Sequence, residues 1–317
     1  MKYFKAIVSY VGANYCGWQS QKRGDSIQEN IGSIISSING GRTHIVGSGR
    51  TDAGVNALGQ CFHFSCEREI SAYQWLGIFH SFLPKDIYVR SVEEVDEDFH
   101  ARFLVEKKTY LYRINLGEYD VFLKDSAWQL QEILNVELMK EAWSYFQGEH
   151  DFLSFNRSNV NEYPNQWRKM FEVRLWQEGN QLFFLVTGNG FLRHMVRTMV
   201  GTCVEVGRGR LSLDKFKLML DQPSRQYSTK RAPAYGLCLK EVSYHSCLGR
   251  NHAYLLRTVS DADGYDEKVA YELHNRKEKG QSLFFDKNGA LLDGHLPKDV
   301  FFLEIVEKAS QKGVNIH

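Results

Sequence analysis

The sequence predicts an α+β fold made of two mixed halves of comparable size. Three observations point there. Strand and helix patterns alternate up to about residue 104, a similar order returns from about residue 105, and the chain turns polar and loop-rich after about residue 245. No sequence repeat establishes a duplication, so the expectation rests on the order of elements alone.

The first half opens with a strand around Ala6, Ile7 and Val8, closed by a turn at Gly12 and Asn14. A helix follows. Ser26 is its expected N-cap, with Glu29 completing a capping box. Ile27, Ile31, Ile34, Ile35 and Ile38 recur on one face, and Gly40-Gly41 stops it. CFHF (Cys61–Phe64) reads as a strand, Ala72–Phe82 as an amphipathic helix ending before Pro84, and Asp86–Val95 as a strand.

In the second half, KTYLYRIN (Lys108–Asn115) alternates as a strand, and Val136–Phe146 reads as a helix with Leu138, Ala142, Trp143 and Phe146 on one side. FEVRLWQEGNQLFFLVTGNG is a hairpin with Gly179-Asn180 at its turn. FLRHMVRTMVGTCVEV is a helix with Met195, Val196, Met199 and Val200 on its inner stripe. Asp214–Leu220 is a short helix and Gly236–Tyr244 a closing strand. Beyond residue 245, SDADGYDE and HNRKEKG read as loops, LFFDKNGALL as a hairpin turning at Asn288-Gly289, and residues 298–312 as a last helix. The apolar residues there, among them Phe284, Phe285, Phe301 and Phe302, need a place to pack, which favours a small appended element over a bare tail.

Bulk properties set limits. Of 317 residues, 43% are hydrophobic, the share of a globular chain with a real core. No apolar run approaches the roughly 18 residues a membrane span needs. Lys5 interrupts any signal-peptide pattern in MKYFKAIVSY, so a cytoplasmic location is expected. The six cysteines (Cys16, Cys61, Cys66, Cys203, Cys238, Cys247) form no C-x-x-C pair, and no His/Cys cluster has zinc-ligand spacing. Free thiols and no structural metal are expected. The net charge of +1 neither points to nor excludes nucleic acid, because binding follows local patches.

The stretch SGRTDAGVNALGQ (Ser48–Gln60) places Arg50 and Asp52 between glycines, with little to bury. It contains neither G-x-G-x-x-G nor G-x-x-x-x-G-K-[ST], so a nucleotide-binding loop is weakly signalled. A structural turn with an Arg50–Asp52 surface pair and a catalytic loop built around the Asp52 carboxylate remain. Nothing local separates these two.

The rest of the chain bears on the choice. YVGANYCGWQSQ (Tyr10–Gln21), SIQENI (Ser26–Ile31), GRTDAGVNALGQ (Gly49–Gln60), FHARF (Phe99–Phe103) with KKTYLYRI (Lys107–Ile114), GEHDFLSF (Gly148–Phe155), GFLRHMVRTMVGTCVEVGRG (Gly190–Gly209) and APAYGLCLKEVSY (Ala232–Tyr244) follow one another. This ordered set resembles the TruA-type tRNA pseudouridine synthases. The resemblance implies isomerisation of uridine to pseudouridine in the anticodon stem-loop of tRNA, around positions 38 to 40, without cofactor or metal. It also implies a homodimer with one tRNA lying across both subunits.

By the same resemblance, the halves are RRM-like (ferredoxin-like), residues 1–104 and 105–245, with mainly antiparallel sheets joined around a central cleft. Residues 246–317 form an appendage with no matched counterpart. Asp52 is the catalytic carboxylate, as nucleophile or as base toward a sugar proton. Arg197, in HMVRTMVG, keeps it charged, and its place near the helix's inner stripe suits a buried anion. Arg50 fills the stem as the base leaves, with a phosphate-contacting or surface arginine as its plainer reading. Tyr110 stacks on the extruded uracil, an interaction worth ~1–3 kcal/mol, and its hydroxyl could relay a proton. Tyr112 shares its face of the strand. Leu237 packs against the base, though alone it would read as core.

Lys107, Lys108, Arg193, Arg208 and Arg210 are expected to face RNA, with Arg168-Lys169 and Lys230-Arg231 as further basic groups. Glu149, His150 and Asp151 are adjacent in the chain, where three side chains rarely converge, and read as a positioning or RNA-facing motif. Asn56 stands where the family usually has histidine, a change expected to leave activity intact. Arg193 replaces a commoner histidine or apolar residue. Three other functions remain open: a synthase acting on other RNAs, a non-catalytic tRNA-binding module, and a nucleotide-dependent enzyme.

Overall fold

The computed structural model describes residues 1–21, 24–227 and 229–244, together with the backbone of four later strands. The chain forms two compact units: Met1–Glu97 with Val105–Tyr244, and Asp98–Leu104 with His245–His317.

The first unit follows the expected order closely. β1 (Lys2–Tyr10) turns Phe4, Ala6, Val8 and Tyr10 inward by strict alternation. α1 (Ile27–Asn39) buries Ile27, Ile31 and Ile35, with Ile34 and Ile38 half-buried. Ser26 accepts from the Glu29 amide, and Gly40 ends the helix at φ 76°. β2 (Val46–Gly47) and β3 (Asn56–Cys66) follow. The reciprocal capping box belongs to α2 (Ala72–Phe82), where Ser71 and Gln74 satisfy each other's backbone. β4 (Ile87–Val95) completes this half.

Next come β5 (Val105–Asn115), β6 (Trp128–Gln129), α3 (Val136–Ser144), β7 (Gly148–Asp151), β8 (Trp167–Glu178), β9 (Gln181–Gly188), α4 (Met195–Gly207), α5 (Leu213–Asp221) and β10 (Leu237–Tyr244). Two expectations are corrected. On α3, Met139 rather than Leu138 joins Ala142, Trp143 and Phe146 in the core, since Leu138 is half-buried. The helix expected from Phe191 starts only at Met195, because His194 adopts the left-handed conformation and breaks the helical path.

The strands form one mixed sheet in the order β4-β1-β3-β10-β5-β9-β8-β7, with β2 added to β3 and β6 to β5. It is antiparallel except where β10 meets β3 and β6 meets β5. Each half has its own aromatic core. In the first, Phe64 stacks on Phe4 at 5.3 Å and meets Trp75 edge-on at 5.0 Å. In the second, Trp143 meets Phe184 and Phe146 meets Phe155, each at 5.0 Å. β10 closes the gap between the halves. Cys238 and Leu239 pair with Asn56 and Ala57 on one side, and Leu237 to Tyr244 run antiparallel to Tyr112 to Val105 on the other.

In the second unit, β11 (Tyr254–Thr258), β12 (Tyr271–Asn275), β13 (Ser282–Phe285) and β14 (Leu291–Asp293) form an antiparallel sheet in sequence order. The expected hairpin of LFFDKNGALL is therefore present as β13 paired with β14. Its Asn288-Gly289 turn, SDADGYDE, most of HNRKEKG and the expected helix over residues 298–312 lie outside the described residues.

Candidate active site

The loop Ser48–Val55 runs into β3 and is held from several sides. The Ser48 amide donates to the Cys61 carbonyl at 2.7 Å, and Gln60 Nε2 donates to the Gly49 carbonyl at 2.9 Å. Lys108 Nζ, reaching over from β5, donates to the Ser48 carbonyl at 2.8 Å. Thr51 Oγ1 and the Tyr10 hydroxyl share a hydrogen bond of 2.9 Å, and the Trp18 amide donates to the Thr51 carbonyl. Two glycines have clear reasons. Gly54 turns at φ 76°, and a Cβ at Gly47 would run into the indole of Trp18.

This scaffold presents Asp52, whose side chain is 28% exposed, to the first turn of α4. Arg197 Nη1 donates to Asp52 Oδ2 at 2.9 Å. The local Arg50–Asp52 surface pair does not form, since the carboxylate turns to a partner 145 residues away. Arg197 Nε donates to the Ala232 carbonyl, while the Ala232 amide donates to the Arg197 carbonyl, both at 2.9 Å. The guanidinium is thus locked in plane between loop and helix. His194 lies beside it with Nε2 3.6 Å from the same Asp52 oxygen, and Arg231 Nη1 is 2.9 Å from its Nδ1. Burial pushes the His194 pKa below its ordinary value; Asp52 opposes this, and Arg231, Arg197 and Arg193 reinforce it.

Tyr110, on β5, meets Phe191 edge-on at 4.9 Å. Burial raises its hydroxyl pKa well above the ordinary value, and the negative charge of Asp52 raises it further, so the phenol stays protonated at neutral pH. Tyr112 points the same way but is wholly buried, and its hydroxyl donates to the Pro233 carbonyl at 2.9 Å. Of the two tyrosines, Tyr112 is the core residue. Leu237 opens β10 opposite Tyr112 and is buried.

Asp52, Tyr110 and Arg197 are therefore brought together. Arg50 is exposed, and among the described residues nothing pairs with its guanidinium. Arg193 is exposed next to His194, and Lys107 is half-buried on β5. Arg208 and Arg210 stand past the far end of α4, Arg208 about 16 Å along the axis from Arg197. Arg208 is already engaged by Glu132 and Glu205, at 2.6 and 2.7 Å. Glu149, His150 and Asp151 do not converge: His150 bonds to the Gln147 carbonyl, and Asp151 accepts from the Leu153 amide.

Sequence reasoning missed His194 as a support, while Asn56, noted there only as a substitute for the family histidine, holds three backbone groups. Asn56 accepts from the Gly12 amide and donates to the Asp125 and Tyr235 carbonyls, each at 2.8 Å. The available signal for His194 was its position three residues before Arg197, one turn along the same helix face. Among the described residues, no cluster of His, Cys, Asp and Glu could hold a metal ion, and no helix is long and apolar enough to cross a membrane. Cys16, Cys61, Cys66, Cys203 and Cys238 are free thiols.

Comparison with known proteins bears on this arrangement. The family model described as tRNA pseudouridine synthase matches residues 6–104 and 142–245. The tRNA pseudouridine synthase A of Anoxybacillus flavithermus is 39% identical over 245 residues, covering 77% of this chain and 99% of that protein. The tRNA pseudouridine synthase A 1 of a Bacillus cereus strain is 37% identical over 248 residues, covering 78% of this chain and all of that protein. The corresponding Clostridium acetobutylicum protein is 38% identical over 77% of this chain.

Proposed function

The chain belongs to the tRNA pseudouridine synthase family, and from that premise we propose that it isomerises uridine to pseudouridine in the anticodon stem-loop of tRNA, around positions 38 to 40, with Asp52 as the reacting carboxylate. One observation carries the reading: Asp52 and Arg197, 145 residues apart, meet at 2.9 Å beside Tyr110. The reaction breaks the N1–C1′ bond, turns the uracil, forms the C5–C1′ bond and releases the C5 proton. A base paired or stacked in RNA must first swing out, at a cost of a few kcal/mol.

Each neighbour then has a task. Arg197 pairs with the Asp52 carboxylate and holds it in place as the base covers it. Tyr110 stacks on the extruded uracil; as a protonated phenol it can give a hydrogen bond but is not a base at neutral pH. Leu237 closes the apolar side, and Arg50, without a partner among the described residues, fills the vacated stem. Lys107, Arg193 and Arg210 contact phosphates. Lys108 and Arg208 would have to exchange their protein partners to join them. The proposal includes two RRM-like halves, residues 1–104 and 105–245, with 246–317 appended, and a homodimer working in the cytoplasm.

The test is Asp52→Asn on tRNA carrying tritium at C5 of uridine. Tritium release should vanish while tRNA binding stays within about twofold, because the two side chains are nearly isosteric. Release at the wild-type rate would refute the assignment.

A further inference from the structure

His194 takes a conformation that non-glycine residues seldom adopt. At φ 62° it forms the N-cap of α4, yet its side chain makes no capping hydrogen bond. Instead the ring, 13% exposed, is held between Arg231 and Asp52. Arg231 Nη1 lies 2.9 Å from Nδ1 and 3.4 Å from Nε2, so this one donor contacts both ring nitrogens. The Asp52 carboxylate offers only acceptors, and it faces Nε2 at 3.6 Å, which favours the single proton of the neutral ring on that nitrogen. The charged groups around the ring are Asp52, Arg231, Arg197 and Arg193, three cations against one anion, and with burial they keep it neutral.

Both neighbours of Asp52 address one oxygen. Arg197 Nη1 is 2.9 Å and His194 Nε2 3.6 Å from Oδ2, while Oδ1 has no partner among the described residues. The 3.6 Å separation is too long for a hydrogen bond, and such contacts commonly tighten when substrate binds.

Resting on the reading of Asp52 as the reacting carboxylate, we propose that His194 is a positioning residue for it. The ring, packed against Arg231, carries its proton on Nε2, and in the substrate complex that proton bonds to Oδ2. Arg197 and His194 together then fix the carboxylate plane and leave Oδ1 as the oxygen presented to the sugar.

Two measurements on the full chain test this. In histidine-labelled protein, the ring nitrogen shifts of His194, assigned by difference against His194→Gln, should report Nε2–H at neutral pH, with charging only below pH 6.5. An Nδ1–H tautomer or a charged ring at neutral pH overturns the proposal. The second is single-turnover tritium release. His194→Gln keeps a donor able to reach Asp52 and should stay within a few-fold of wild type. His194→Asn tolerates the left-handed backbone and keeps an acceptor for Arg231 but loses the reach. It should slow the step about tenfold to a hundredfold, the worth of one hydrogen bond to a charged group, with tRNA affinity unchanged. Equal slowing of both variants, or none in His194→Asn, overturns the proposal. Turnover in Asp52→Asn would instead refute the underlying assignment of the carboxylate.

Discussion

Arg197 serves two acceptors with one rigid guanidinium: Nε binds the Ala232 carbonyl and Nη1 binds Asp52. A lysine has a single ammonium at the end of a flexible stem and cannot satisfy both from that position. Arg197→Lys should therefore keep the charge but lose alignment. We expect single-turnover isomerisation to fall about a hundredfold with tRNA affinity little changed, measured by tritium release and filter binding. At this scale the reacting groups were legible only through resemblance. Locally, Asp52 read equally well as one end of a surface pair with Arg50, and only the fold brings in a partner 145 residues away. Lys108 and Arg208 show the converse difficulty. A basic residue in sequence is not yet a cation available to RNA, and both spend their charge on protein acceptors.

Between elements, Asn56 is the main tie. Its amide joins the turn after β1 through Gly12, the loop before β6 through Asp125 and the approach to β10 through Tyr235. Asn56→Ala should strand these groups and destabilise the protein by about 2–4 kcal/mol, read from denaturant midpoints. Periodicity located the helices and strands because each buries one face or stripe against an aromatic core. α2 spans the expected Ala72–Phe82. At α4 a local backbone event decided: the left-handed His194 delays the start of the helix. The order of strands was not legible, because pairing depends on contacts between distant segments. Nothing in GLCLKEVSY announces that it lies between β3 and β5.

For the whole molecule, the position of β10 makes the two halves of the sheet interdependent. Without it, β3 would present an open edge at Asn56 and Ala57, beyond the stretch that β2 covers at Phe62 and His63. A fragment ending at Glu97 should therefore aggregate or populate higher oligomers in size-exclusion chromatography. The intact chain should melt residues 1–97 and 105–244 in one transition. Separate melting of the two halves would contradict this. The same strand has a further consequence on the ribosome. β3 is complete at Cys66 but acquires its parallel neighbour only when Tyr244 has been made. At cellular elongation rates this is a wait of roughly 10–35 s. During that interval the nascent chain carries a sticky half-sheet, which makes it a natural client for holding chaperones.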